Sequence, residues 1–193
     1  MSGSYPMSAS IHIEYYDSDT AGNSRRRIEA LKTSIESYGY FSPHFAMSSD
    51  RLSRNFLTSS LALVSIPSIY YGSSIEKGSV DLRFFLTGTL IGKVQDERKN
   101  GLLIQTGPND SSHSGTIVGL VLYNEGIIIL TGSHSLNPKS APFLHRETYE
   151  VGTSTALKNP SWKYFGTSIE YGGAPHSQRR YVSSSYSLSL SHN

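Results

Sequence analysis

Seven histidines, at positions 12, 44, 113, 134, 145, 176 and 192, are the side chains best suited to hold a metal or move a proton in this chain. None forms a His-x3-His pair and no carboxylate set stands beside them, so no metal centre is expected. Cysteine is absent, which removes disulfide frameworks, thiolate metal sites, iron-sulfur clusters and cysteine nucleophiles together. With 35 serines, a serine next to a histidine arises by chance, and Gly132-Ser133-His134 reads as a hairpin leaving its sheet. There is no G-x-S-x-G elbow, no P-loop and no G-x-G-x-x-G after a strand. The carboxylate pairs Asp81 with Glu76 and Asp96 with Glu97 fall in turns or on the polar face of a strand, where solvated charge explains them. A cell-wall or polysaccharide hydrolase would need two convergent carboxylates in a cleft, with Asp81, Glu125 and Glu147 as the residues to test. The expectation is no enzyme and no cofactor. Glycan binding by exposed tyrosines and Trp162 is the rival chemistry, and a single Trp gives it little pattern.

Composition narrows the class further. The chain has 193 residues, 37% hydrophobic and 17% charged, with 13 Tyr, 7 Phe and a net charge of +2. Aromatic content of this order with so little net charge argues for a folded chain of one domain. No apolar run approaches the ~18 to 20 residues of a membrane-crossing helix, so no membrane association is expected. The start, MSGSYPMSAS, lacks the basic and apolar regions of a secretory signal, and export by that route is not expected. Residues 1–60 carry six basic against six acidic groups and residues 61–157 seven against eight, leaving Lys158, Lys163, Arg179 and Arg180 against Glu170. That excess is too thin for a nucleic-acid surface.

Four stretches follow from the pattern. Residues 1–23 read as an N-terminal arm in which Ile11, Ile13 and Tyr15 alternate like a short strand. Over 24–60, a helix starts at an Asn23 or Ser24 cap, places Ile28, Leu31, Ile35 and Tyr38 on one face and stops at Gly39. Its polar face carries Arg25, Arg26, Arg27 and Lys32, a solvated face or a contact for an acidic partner. An irregular crossing with Tyr40, Phe41, Phe45 and Phe56 follows, which must pack or meet a partner.

Residues 61–171 form the β domain. Leu61 to Tyr71 is its first strand, with Pro67 placing it at an edge or a bulge. Val80, Leu82, Phe84 and Leu86 alternate in a strand expected to continue through Leu90 and Ile91. The charged loop from Asp96 to Asn100 precedes a hairpin arm at Leu102 to Gln105. Asn124-Glu125-Gly126 sits between two apolar segments and predicts a three-residue hairpin loop with Gly126 in the left-handed conformation. Ile127 to Leu130 is apolar on both faces, so a second layer or a neighbouring subunit must cover it. Trp162, Tyr164 and Phe165 plug the core. Residues 172–193 end in a strand with Tyr186, Leu188 and Leu190 alternating against serines; it either pairs within the chain or adds to another chain in assembly, and assembly is the favoured expectation. The fold class is mainly β, an antiparallel sandwich-like domain with one N-terminal amphipathic helix. No fixed-period repeat occurs.

The segments IPSIYYGSSIEKGSVDLRFFLTGTLIG (66–92), NGLLIQTGPND (100–110), GTIVGLVLYNEGIIILTGS (115–133) and NPSWKYFGTS (159–168) are similar to virion structural proteins of marine contractile-tailed bacteriophages. The resemblance covers about half the chain and corresponds to part of a longer protein there. It rests on strands and turns, so no functional side chain is carried over. It implies a component of the tail, baseplate or neck, located in the virion and partnered by other virion proteins and by copies of itself. The alternative is a receptor- or glycan-binding module of a fibre. The expected assembly contacts are Arg25, Arg26, Arg27, Phe41, Phe45, Phe56, Tyr186, Leu188 and Leu190.

Overall fold

The computed structural model describes residues 10–18, 25–52, 54–108, 113–136, 143–145, 160–166, 169–171, 181–182 and 184–190. The architecture is mainly β: a curled antiparallel sheet of eight strands with two short helices. In chain order the elements are β1 His12–Tyr16, α1 Arg26–Ala30, α2 Lys32–Ser37, β2 Ser48–Ser49, β3 Arg54–Asn55, β4 Leu61–Ser65, β5 Asp81–Leu86 and β6 Thr89–Gln95. They continue with β7 Leu102–Gly107, β8 Ile117–Leu122, β9 Ile127–Leu130, β10 Phe143–His145, β11 Ile169–Tyr171, β12 Tyr181–Val182 and β13 Ser184–Ser189. The main sheet runs β1-β4-β9-β8-β7-β6-β5-β13; β10-β11-β12 and β2-β3 form small sheets of their own.

Local chemistry explains the meander from β5 to β9. β5 shows the expected alternation, with Leu82, Phe84 and Leu86 buried. It does not continue through Leu90, because the chain turns at Thr87 and Gly88, both at positive φ (48° and 82°), and returns as β6. That two-residue turn is the geometry a twisted hairpin favours. Asp96 to Gly101 links β6 to β7, and Gly126, at φ 64°, closes the β8–β9 hairpin in the register Leu122 to Ile127.

Several expectations are corrected. In place of one helix over 24–38 there are two short ones, interrupted at Leu31 (φ −80°, ψ −4°), although Ile28, Ile35 and Tyr38 are buried as the spacing predicts. Thr33, Ser34 and Ser37 are weak helix formers, and the Ser37 hydroxyl donates to the Ser34 carbonyl instead of supporting a longer helix. The cap positions Asn23 and Ser24 lie outside the described residues; Arg25 occupies the cap, with no side-chain cap hydrogen bond. β4 ends at Ser65, two residues before Pro67, and sits one place in from the sheet edge, between β1 and β9. The C-terminal strand pairs within its own chain, β13 lying antiparallel to β5 with Leu188 opposite Leu82.

Trp162, Tyr164 and Phe165 fill the curl, as the aromatic knot predicts; Trp162 has no exposed surface. Strands from across the sheet meet this plug. Phe84 of β5 lies 6.1 Å from the Trp162 ring, Gln105 of β7 accepts from the indole N–H at 3.0 Å, and Tyr15 of β1 lies 5.7 Å from Tyr164. Gly166 touches both edges: its N–H donates to Tyr186 of β13 at 3.2 Å, and a Cβ there would come 2.4 Å from Ile13 of β1. Ile127 to Leu130 are buried by this one chain, between 0% and 7% exposed. A neighbouring subunit is therefore not needed to cover them.

Candidate functional site

The residues expected to make assembly contacts separate into three environments. Arg25 is buried, and its guanidinium donates to the carbonyls of Phe56 (2.7 Å), Ser59 (2.6 Å) and Asp17 (2.5 Å). It ties the start of α1 to β1 and to the turn after β3. Arg26 is exposed, while Arg27 pairs with Glu14 of β1 and donates to the Ser65 hydroxyl of β4 at 2.6 Å. Phe45 and Phe56 are wholly buried, so neither offers its ring to a partner; burial explains their aromatic character. Tyr186, Leu188 and Leu190 are half-buried against the core, with Ser187 and Ser189 exposed between them. Phe41 alone among the expected phenylalanines is half-buried at a surface recess.

That recess is a cleft of ≈ 540 Å³ built from three places in the sequence. Tyr38, Tyr40 and Phe41 come from the turn that ends α2, Glu76 and Lys77 from the turn before β5, and Tyr123 and Asn124 from the β8–β9 turn. Tyr40 and Phe41 stand with ring centres 4.0 Å apart and Tyr40 is 81% exposed. Tyr38 lies 6.1 Å from Phe41 and 6.2 Å from Tyr123, which joins the rings into one aromatic wall. The Lys77 ammonium sits over Phe41 at 5.2 Å and Tyr123 at 5.9 Å, a cation placed against ring faces. Burial pushes the Tyr38 hydroxyl up from its ordinary value, and burial followed by the neighbouring Asp96 does the same to Tyr123, whose hydrogen goes to Asp96. Tyr38 and Tyr123 are buried and Lys77 covers part of the wall, so it is the exposed Tyr40 ring, beside Glu76, Asn124 and Lys77, that can stack on a planar or sugar-like surface.

Sequence reasoning noted Tyr40 and Phe41 as anchors in the crossing, and missed Lys77, Tyr123 and the role of Tyr38. The density of rings in Tyr38 to Phe41 was the available signal; what joins them to Tyr123 is contact between segments more than 80 residues apart. Among the described residues, no group of three or more His, Asp or Glu side chains is placed to hold a metal ion. Asp81 is paired with Arg83 and Lys93 on the sheet, Glu125 lies in the β8–β9 turn, and Glu147 lies outside the described residues. No helix among the described residues is long and apolar enough to cross a membrane. Compared with protein-family models, curated proteins and solved structures, the chain matches none.

Proposed function

We propose that the chain is a non-enzymatic structural subunit of a tailed-phage particle, a tail, baseplate or neck component that works by contact with other virion proteins and with copies of itself. Its place is the virion, assembled in the host cytoplasm. In this subunit the curled halves of the sheet face each other across Trp162 as a sandwich-like core, and residues 26–37 act as one amphipathic helical segment beside it. Exposed apolar side chains carry the reading: Tyr40 is 81% exposed, Ile69 56% and Tyr70 48%. Tyr40 lines the cleft that the β8–β9 turn completes, and Tyr71, next to Tyr70, packs its ring against Gly126 of the same turn. Large apolar groups left exposed on a chain that buries a full core suit a contact surface. β1 and β13 are the outermost strands of the main sheet, the positions at which a sheet can be extended by another chain.

Sedimentation of the purified chain, alone and with neighbouring particle proteins, tests the proposal. Association is expected, and a Tyr40→Ser, Ile69→Ser, Tyr70→Ser variant should lose it while remaining folded. A monomer that joins no particle protein would end this reading. The aromatic cleft favours a second one, a receptor- or glycan-binding module, because stacking rings with a polar rim are what sugars require. Glycan-array binding by the monomer, abolished by Tyr40→Ser, would select it.

A further inference from the structure

A second cleft, of ≈ 460 Å³, lies on the other side of the β8–β9 hairpin from that turn, where the chain leaves β9. It brings together four basic side chains that are far apart in sequence: His44 from the single turn Pro43–Phe45, Arg54 of β3, His134 after β9 and Lys163 from the plug. Thr131 and Ser133 line the same cleft. No carboxylate lines the cleft among the described residues.

Arg54 is the strongest of the four. Its Nη2 donates to the carbonyls of His44 and Ala46, the latter at 3.3 Å, and the guanidinium lies 4.2 Å over the Phe56 ring. Among the described residues its buried Nε meets no acceptor. Burial lowers its pKa only to about 10, so the charge is permanent at neutral pH. A half-buried guanidinium ordinarily meets a carboxylate, since desolvating an uncompensated charge costs several kcal/mol; here only neutral carbonyls are offered.

His134 is fixed equally firmly. Its Nε2 lies 2.5 Å from Oε1 of Gln105, and that oxygen also accepts the indole N–H of Trp162. Trp can only donate, so the Gln105 atom is the oxygen and the Nε2 of His134 carries the hydrogen, which leaves Nδ1 as the free acceptor of the neutral ring. His113, from the β7–β8 connection, stacks on the same ring at 4.2 Å. His44 faces Arg54, and Lys163 closes the cleft from the plug.

We propose that this cleft binds an oxyanion of the phosphate or sulfate type, free or carried on a larger ligand, with Arg54 and Lys163 as the permanent cations and Thr131 and Ser133 as neutral donors. Guanidinium and ammonium groups match several oxygens bearing one or two charges, whereas a neutral sugar would leave the charges uncompensated. The two histidines are held down by burial first and by a basic neighbour second, Arg54 beside His44 and His113 beside His134. An anion reverses that second influence, so its arrival draws protons onto both rings.

The test follows the ring nitrogens of His44 and His134 by NMR in the full chain while potassium phosphate replaces potassium chloride at constant ionic strength. A saturable shift is expected, with the His134 pKa rising from about 4 by about one unit or more. Lys163→Gln, at a half-exposed site, should weaken the midpoint about threefold to tenfold, and Arg54→Gln should abolish it where it folds. Sulfate acting like phosphate supports a free-ion site; a sulfated oligosaccharide binding at least about tenfold tighter supports a polymer-borne group. Ring signals that respond to phosphate no more than to chloride, or a Lys163→Gln variant with an unchanged midpoint, overturn the proposal.

Discussion

Tyr123, in the turn after β8, donates its phenolic hydrogen to Oδ2 of Asp96, a carboxylate at the end of β6 with no exposed surface. Oδ2 also accepts the N–H of Gly78 at 2.9 Å, and Oδ1 accepts those of Asn100 and Gly101, each at 3.2 Å. A side chain that composition alone would place in a solvated turn thus joins three connections of the sheet. Its charge is tolerated because every lone-pair direction is used.

Asp96→Asn keeps the shape but replaces one accepting oxygen by a donor, turning it against the hydrogens it must meet. The expected loss is about 2 to 4 kcal/mol of unfolding free energy in urea. Tyr123→Phe should lose about 1 to 2 kcal/mol, and the double variant less than the sum, since both remove one contact. Additive losses would show that the pair is not coupled.

Arg25 and Arg26 are neighbours in sequence with opposite fates. Arg25→Lys cannot reach three carbonyls at once and should cost about 2 kcal/mol or more. Arg26→Ala, at an exposed position, should stay within about 0.5 kcal/mol. Equal effects in thermal or urea unfolding would contradict the internal role of Arg25.

Gly126→Ala meets two obstacles, a φ of 64° and a Tyr71 ring that would lie 2.3 Å from the new Cβ. A loss above about 1 kcal/mol is expected, together with loosened amide protection in β8 and β9. Hydrogen exchange identical to the parent would refute the tight turn.

His134 sets a pH dependence. Burial, then the charge of His113, holds its pKa at about 4, below the ~6.5 of an unfolded imidazole. The unfolded chain therefore takes up the proton first, and the stability present above about pH 6.5 is lost as pH falls toward 4. The ring is only half-buried, so solvent screening reduces the loss to about 1 kcal/mol. His134→Gln should flatten the decline between pH 6.5 and 5 in urea midpoints, above the range where Asp81 and Glu14, both held down by neighbouring cations and hydrogen bonds, begin to protonate. Parallel pH profiles for parent and variant would remove His134 from that role.

What the chain encodes locally could be read without coordinates. Asn124-Glu125-Gly126 makes a tight reversal because its last residue adopts positive φ freely, and Tyr186, Leu188 and Leu190 alternate because successive side chains of any strand point to opposite faces. The spacing of Ile28, Ile35 and Tyr38 marked an inward face even though the helix is broken at Leu31. Contacts between distant segments decided the rest. Whether Arg25 met solvent or three carbonyls depended on where β1 and the turn after β3 come to lie, and whether β13 found β5 depended on a partner about 100 residues earlier. Ile127 to Leu130 announced only that something must cover them; the curl of the sheet around Trp162 and the packing of the chain's own segments supplied that cover. The basic residues of the second cleft are scattered over more than 110 positions, from His44 to Lys163. Side-chain period and turn chemistry act over a few residues, whereas burial, charge proximity and the walls of a cleft arise when separate segments meet in space.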